Sequence, residues 1–197
     1  MVGRGPPIRQ GVNKLQHGWI KSTTVKKPRI ITVKPYTAKY GRVNKLVSQS
    51  FKPKQYLLLE NRKLNGFDFN LPGKGLLVWR VDESGEQETP DTPGLYLVQA
   101  DGRHNLEDPG DWNQGDAGDP FPGSAKKTEL KDTGSISTSF LGARSGITLQ
   151  NIRLDPATGA AKLYAKFSAV GPSSVKGKPS KSGRKIRKAL RTARRGK

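Results

Sequence analysis

Gly146-Ile-Thr-Leu-Gln-Asn-Ile-Arg-Leu154, Asp155-Pro-Ala-Thr-Gly159 and Ala161-Lys-Leu-Tyr-Ala-Lys-Phe167 follow one another almost without a gap. The first stretch alternates, placing Ile147 and Leu149, and with them Ile152, on one inward face. The second is turn chemistry, a proline and a glycine around an aspartate that can accept bonds from the backbone beyond it. The third again alternates apolar and polar residues. Two half-buried strands joined by a turn form a hairpin, so residues 146–167 set the expectation of a β protein.

Working outward, Gln55-Tyr-Leu-Leu-Leu-Glu60 and Gly75-Leu-Leu-Val-Trp-Arg-Val81 are continuous apolar runs of strand length, as strands buried on both faces require. Leu95-Tyr-Leu-Val-Gln99 and the β-branched Arg29-Ile-Ile-Thr-Val-Lys34 add two more. No helical period of 12 or more residues is sustained before residue 168. The expected fold is mainly β, with antiparallel strands and long acidic loops across 82–94 and 100–135. Such long connections in a compact domain usually carry function or lack order.

The chain has 197 residues and no cysteine, which excludes a disulfide scaffold, a thiolate metal site and a cysteine nucleophile. No apolar run approaches the ~18 residues of a membrane span. Met1 to Gln10 lacks the apolar centre of a signal peptide. The net charge of +20 is sharply partitioned: residues 1–59 hold 13 basic side chains and no acid, and residues 156–197 hold another 13. Between them, residues 82–119 hold 11 carboxylates against Arg103 alone. Composition divides the chain into a basic N-terminus at 1–12, a β-rich domain at 13–169 and a low-complexity basic tail at 170–197. The basic 1–59 segment is an expected partner for the acidic loop.

The densest chemistry lies in that loop, where six carboxylates fall within residues 101–119, interleaved with glycine. Like charges this close repel, and a hard cation with six to eight oxygen ligands relieves the repulsion. The spacing of Asp111, Asp116 and Asp119 is not that of an EF-hand. The loop reads either as an irregular calcium site or as a solvated acidic region offsetting the basic flanks.

Catalytic patterns are poor elsewhere. His17 and His104 are far apart in sequence and neither sits in an H-E-x-x-H helix, so zinc hydrolysis has no ligand set. His104 reads as a solvated neighbour of the acidic loop, and His17 as packing near a strand start. Asp82 and Glu83 are adjacent, and adjacent residues on a strand face opposite ways, which argues against an acid–base dyad. Gly73-Lys74-Gly75 reads as a turn rather than a phosphate loop, and no G-x-S-x-G elbow occurs.

Four segments carry a family resemblance in order. Gln55-Tyr-Leu-Leu-Leu-Glu-Asn-Arg-Lys63, Gly66-Phe-Asp-Phe-Asn-Leu-Pro-Gly-Lys-Gly-Leu-Leu-Val-Trp-Arg-Val-Asp-Glu83, Leu97-Val-Gln-Ala-Asp-Gly-Arg103 and Gly115-Asp-Ala-Gly-Asp-Pro-Phe-Pro-Gly123 together resemble the immune-inhibitor-A-like zinc metallopeptidases. Gly18-Trp19-Ile20 looks like the point where that family's chain leaves its zinc helix, and the likeness covers roughly residues 13–168. The resemblance implies a secreted, often calcium-stabilised endopeptidase, with this stretch C-terminal to the zinc helix. The helix itself is expected to belong to a missing N-terminal catalytic portion. The family tends to carry histidine where this sequence has Arg80, which implies lost activity. It also implies Asp101, Asp116 and Asp119 as calcium ligands, with Asp108 and Asp111 as further candidates. Zinc is expected for the family but finds no ligand motif here. A truncated reading frame, a decayed gene and a separately encoded piece completing a catalytic partner all fit.

The tail lies outside the resemblance. Arg184, Lys185, Arg187, Lys188, Arg191, Arg194 and Arg195 are spaced by Ile186, Ala189, Leu190 and Ala193, the period of a short basic helix. Alone such a segment is expected to be disordered or weakly helical. The alternative function is therefore a polyanion- or nucleic-acid-binding protein acting through its tail, without sequence specificity and with a steep salt dependence.

Overall fold

The computed structural model describes Leu15 and residues 17–35, 42–84, 94–107, 115–140 and 143–170. Among these described residues the fold is mainly β, with 41% strand and 2% helix. Five strands form one sheet in the order β1 (Lys21–Val25), β3 (Arg42–Leu46), β4 (Gln55–Arg62), β5 (Gly75–Asp82) and β6 (Leu95–Leu97). Three more form a second sheet in which β8 (Ala161–Phe167) lies between β2 (Arg29–Val33) and β7 (Ile147–Leu154). Pairing is antiparallel except between β1 and β3, which run parallel. That parallel pair is the exception among the described strands, which are otherwise antiparallel as expected. It arises because β2 leaves for the other sheet before the chain returns as β3.

The two sheets pack face to face through Leu57, Leu59 and Val78 on one side and Ile31, Leu149 and Leu163 on the other. The opposite face of the larger sheet buries a second apolar set around Tyr56, Leu58, Trp79 and Val81. β4 and β5 are thus covered on both faces, which accounts for their unbroken apolar sequences.

The predicted hairpin is present as β7 and β8. Ile152 reaches the core despite lying three positions after Leu149, because the register shifts between Gln150 and Arg153 and Asn151 adopts φ +54°. Such a bulge absorbs one residue and restores the inward alternation. At the start of β5, Gly75 has φ +138°, and a Cβ there would stand 2.5 Å from the carbonyl oxygen of Phe121. The Gly73–Gly75 segment is a strand entry pressed against that backbone. Phe121 and Leu76 exchange two backbone bonds of 2.8 Å each, and this bridge delivers the 115–123 loop to the edge of the large sheet.

Candidate metal centre

The acidic loop is assembled by backbone bonds before any side chain is considered. β6 delivers Ala100, whose N–H donates to the carbonyl of Asp119 at 2.9 Å. With the Leu76–Phe121 bridge, this brings residues 15 or more apart in sequence into one cluster. Gln99, fully buried, fastens the intervening turn: its amide donates to both Glu107 oxygens at 2.9 and 3.0 Å and accepts from the Asn105 N–H at 3.2 Å.

Asp101, Asp116 and Asp119 converge, each offering a carboxylate oxygen, and these oxygens lie within 4.8 Å of one another. The Asp116 N–H donates to Asp119 Oδ2 at 2.7 Å, and the Gly118 N–H donates to Asp116 Oδ1 at 2.5 Å. Asp101 Oδ1 accepts from the Arg103 N–H at 3.1 Å. These bonds leave Asp119 Oδ1 and Asp101 Oδ2 buried without a hydrogen bond. Asp119 is only 3% exposed. Burial pushes its carboxyl up to about 6, and the charges of Asp116 and Asp101 push the same way.

Gly118 has no room for a side chain, since a Cβ would lie 2.6 Å from Asp101 Oδ2 and 2.8 Å from Asp116 Oδ1. The space between these carboxylates is therefore reserved by a glycine. Above it opens a cavity of about 400 Å³, lined by Asp101, Asp116, Ser124 and Arg103 among others. The guanidinium there comes from the loop itself, with Arg103 Nε 3.5 Å from Asp101 and Nη1 3.4 Å from Asp116. Among the described residues, the ion pairs of this triad do not draw on the basic 1–59 segment that complementarity suggested.

Behind the triad sits a buried ion cluster that sequence reasoning missed. Arg62 pairs with Glu60 and, at 3.0 Å, with both oxygens of Asp68. Arg62 also lines a cavity of about 30 Å³ shared with Asp116 and Asp119. Burial raises the Glu60 carboxyl, while the Arg62 charge opposes it. The only signal in sequence was charged residues in an apolar strand, Glu60 and Arg62 at the end of β4.

Other sequence candidates separate. Asp108 and Asp111, and the tail residues Arg184, Lys185, Arg187, Lys188, Arg191, Arg194 and Arg195, lie outside the described residues, as does the 1–12 segment. His104 adopts φ +58°, and its Nδ1 lies 2.6 Å from the Tyr96 hydroxyl. His17 is exposed and sits beside the Trp19 ring, 5.3 Å between centroids. Neither imidazole joins a group of three metal-ligating side chains among the described residues, so the residues present do not fit zinc. Asp82 is held by Gln55 and the Ser84 N–H, whereas Glu83 accepts from the Tyr56 hydroxyl at 2.6 Å; the two carboxylates are occupied separately. Arg80 lies 4.0 Å over the Tyr96 ring and donates to the Ser139 carbonyl at 2.7 Å.

An all-carboxylate donor set suits a hard, oxygen-seeking cation and not a soft one. Comparison of the chain with protein-family models, with curated proteins and with solved structures returns no match.

Proposed function

We propose that this chain is a calcium-binding β domain of the immune-inhibitor-A-like metallopeptidase type, a C-terminal portion or degenerate remnant without peptide-bond hydrolysis of its own. The observation that carries the calcium reading is the buried, unbonded Asp119 oxygen beside two further carboxylates. Ionised pairs about 4 Å apart near a protein surface repel by up to about 4 kcal/mol, and a divalent cation turns that repulsion into attraction. Asp101, Asp116 and Asp119 would hold the ion. Its role would be to clamp β6 to the 115–123 loop.

The family assignment rests on the four ordered segments, and the inactive reading on the missing zinc motif. Calorimetric titration of the purified chain with calcium, beside casein and gelatin cleavage assays with and without a zinc chelator, tests both parts. The expected result is one bound calcium and no chelator-sensitive cleavage. Absence of calcium binding removes the first part, and zinc-dependent cleavage removes the second.

The charge of +20 favours a second reading, polyanion binding through the tail. Deleting residues 170–197 and measuring duplex binding across salt tests it. Unchanged affinity, or a flat salt slope, defeats that reading.

A further inference from the structure

At the opposite end of the β4–β5 pair from the metal centre lies a groove of about 970 Å³. That volume falls within the range of ligand pockets. Its walls come from four separate segments: the β1–β2 turn, the connection from β3 to β4, the lead-in to β7, and the exit from β8. Backbone and hydroxyl bonds tie these walls together. Val47 N–H donates to Val25 O at 3.1 Å, Ser168 N–H to Gly146 O at 2.8 Å, and the Ser48 hydroxyl to Ser145 O at 2.5 Å. The groove is thus held open by contacts unrelated to any ligand.

Its chemistry is two-sided. Lys26, Lys27 and Arg144 are its cationic groups, the last already paired with Asp132, and among the described residues no carboxylate lines it. Arg144 is not a loose surface charge. Nε and Nη2 donate to Asp132 at 3.1 and 3.2 Å, which fixes the plane of the guanidinium, and Asp132 is only 9% exposed. Val47, Phe167 and Val170 line it as well.

We infer that this groove binds a short extended peptide in which acidic and apolar side chains alternate. Successive side chains of an extended chain point to opposite sides, so acidic groups meet the cationic rim while apolar ones reach Val47, Phe167 and Val170. A sulfated glycan would satisfy the cations but leave these apolar side chains uncovered. The inference does not depend on the metal centre or on the family assignment.

The test uses the full chain and a fluorescein-labelled Glu-Val-Glu-Leu-Glu-Val-Glu-Leu peptide, read by anisotropy. Because the chain is strongly basic elsewhere, the decisive variants are charge-neutral: Ala169→Trp and Gln49→Trp, both at exposed groove positions. Each is expected to weaken binding by about fivefold or more through occlusion, and Lys26→Glu/Lys27→Glu by about tenfold. The charge-matched pair Lys63→Glu/Lys127→Glu, at the other end of the strands, is expected to change it by less than about twofold. Circular dichroism confirms that each variant is folded. No peptide binding overturns the inference, as does equal affinity in the tryptophan variants. A Gln-for-Glu peptide binding equally well also overturns it, as does a heparin hexasaccharide that alone responds to Ala169→Trp.

Discussion

Asp116 and Asp119 grip one another in both directions: the Asp116 N–H donates to the Asp119 carboxylate at 2.7 Å, and the Asp119 N–H returns to the Asp116 carbonyl at 3.3 Å. The turn that presents both carboxylates is therefore closed by the chain itself. A cation binding there would add stability without building the fold. At a calcium concentration of about 100 times its dissociation constant the gain is roughly 2.7 kcal/mol, or roughly 5–10 °C in Tm for a domain of this size. Differential scanning fluorimetry in calcium against EDTA measures it. Asp119→Asn is expected to abolish the difference; a shift that survives that substitution places the ion elsewhere.

The pH dependence follows from the same carboxyl. Asp119 titrates near 6 in the folded chain, against about 3.9 when unfolded. A raised carboxyl means that the folded state disfavours the charge. Its contribution to calcium-free stability is therefore complete below about pH 4 and is lost as pH rises through about 6. Calcium needs the ionised form, so its affinity should climb through that window. Tm measured from pH 4.5 to 7.5 with and without calcium should show the two curves separating as pH rises, the calcium-free curve losing this contribution; parallel curves would contradict the assignment.

Gly118→Ala isolates the geometry from the charge. The added methyl would press on Asp101 Oδ2 and Asp116 Oδ1, spreading the ligands while leaving every carboxylate in place. Calcium affinity should fall by about tenfold or more, as expected when a site loses its preorganisation. The calcium-free Tm should change far less. Equal calcium binding by this variant in calorimetry would mean the ion does not sit between these oxygens.

Removing Arg62 attacks the cluster behind the site. Arg62→Met leaves Glu60 and Asp68 buried without their guanidinium, and breaking a buried ion pair in this way costs about 3–5 kcal/mol. Urea unfolding should register a loss of that size. Adding Glu60→Gln and Asp68→Asn to the same variant should recover much of it, since the penalty lies in the stranded charges.

How much of this was legible can be argued strand by strand. β4, β5, β7 and β8 advertise themselves because burial demanded apolar residues on one or both faces. β1 and β3 do not: Lys21-Ser-Thr-Thr-Val25 and Arg42-Val-Asn-Lys-Leu46 carry one and two buried side chains respectively. They are strands because of the neighbours they pair with. At the candidate site, the crowding of carboxylates was visible. Which of them meet was not, because that depends on Ala100 bonding Asp119 and on Leu76 bonding Phe121. Local spacing cannot encode such long-range pairings. Gly118 was equally mute as a sequence letter, although its missing side chain shapes the cradle.

The pairing of β2 with β8 joins Arg29–Val33 to Ala161–Phe167. A ribosome delivers the earlier strand long before its mate exists, so Ile31 and Val33 must wait, exposed, through most of translation. The smaller sheet can close only when synthesis has passed Phe167. A chain released before that point would present an unmatched, sticky ribbon to its surroundings, and quality control in the cell would meet it there.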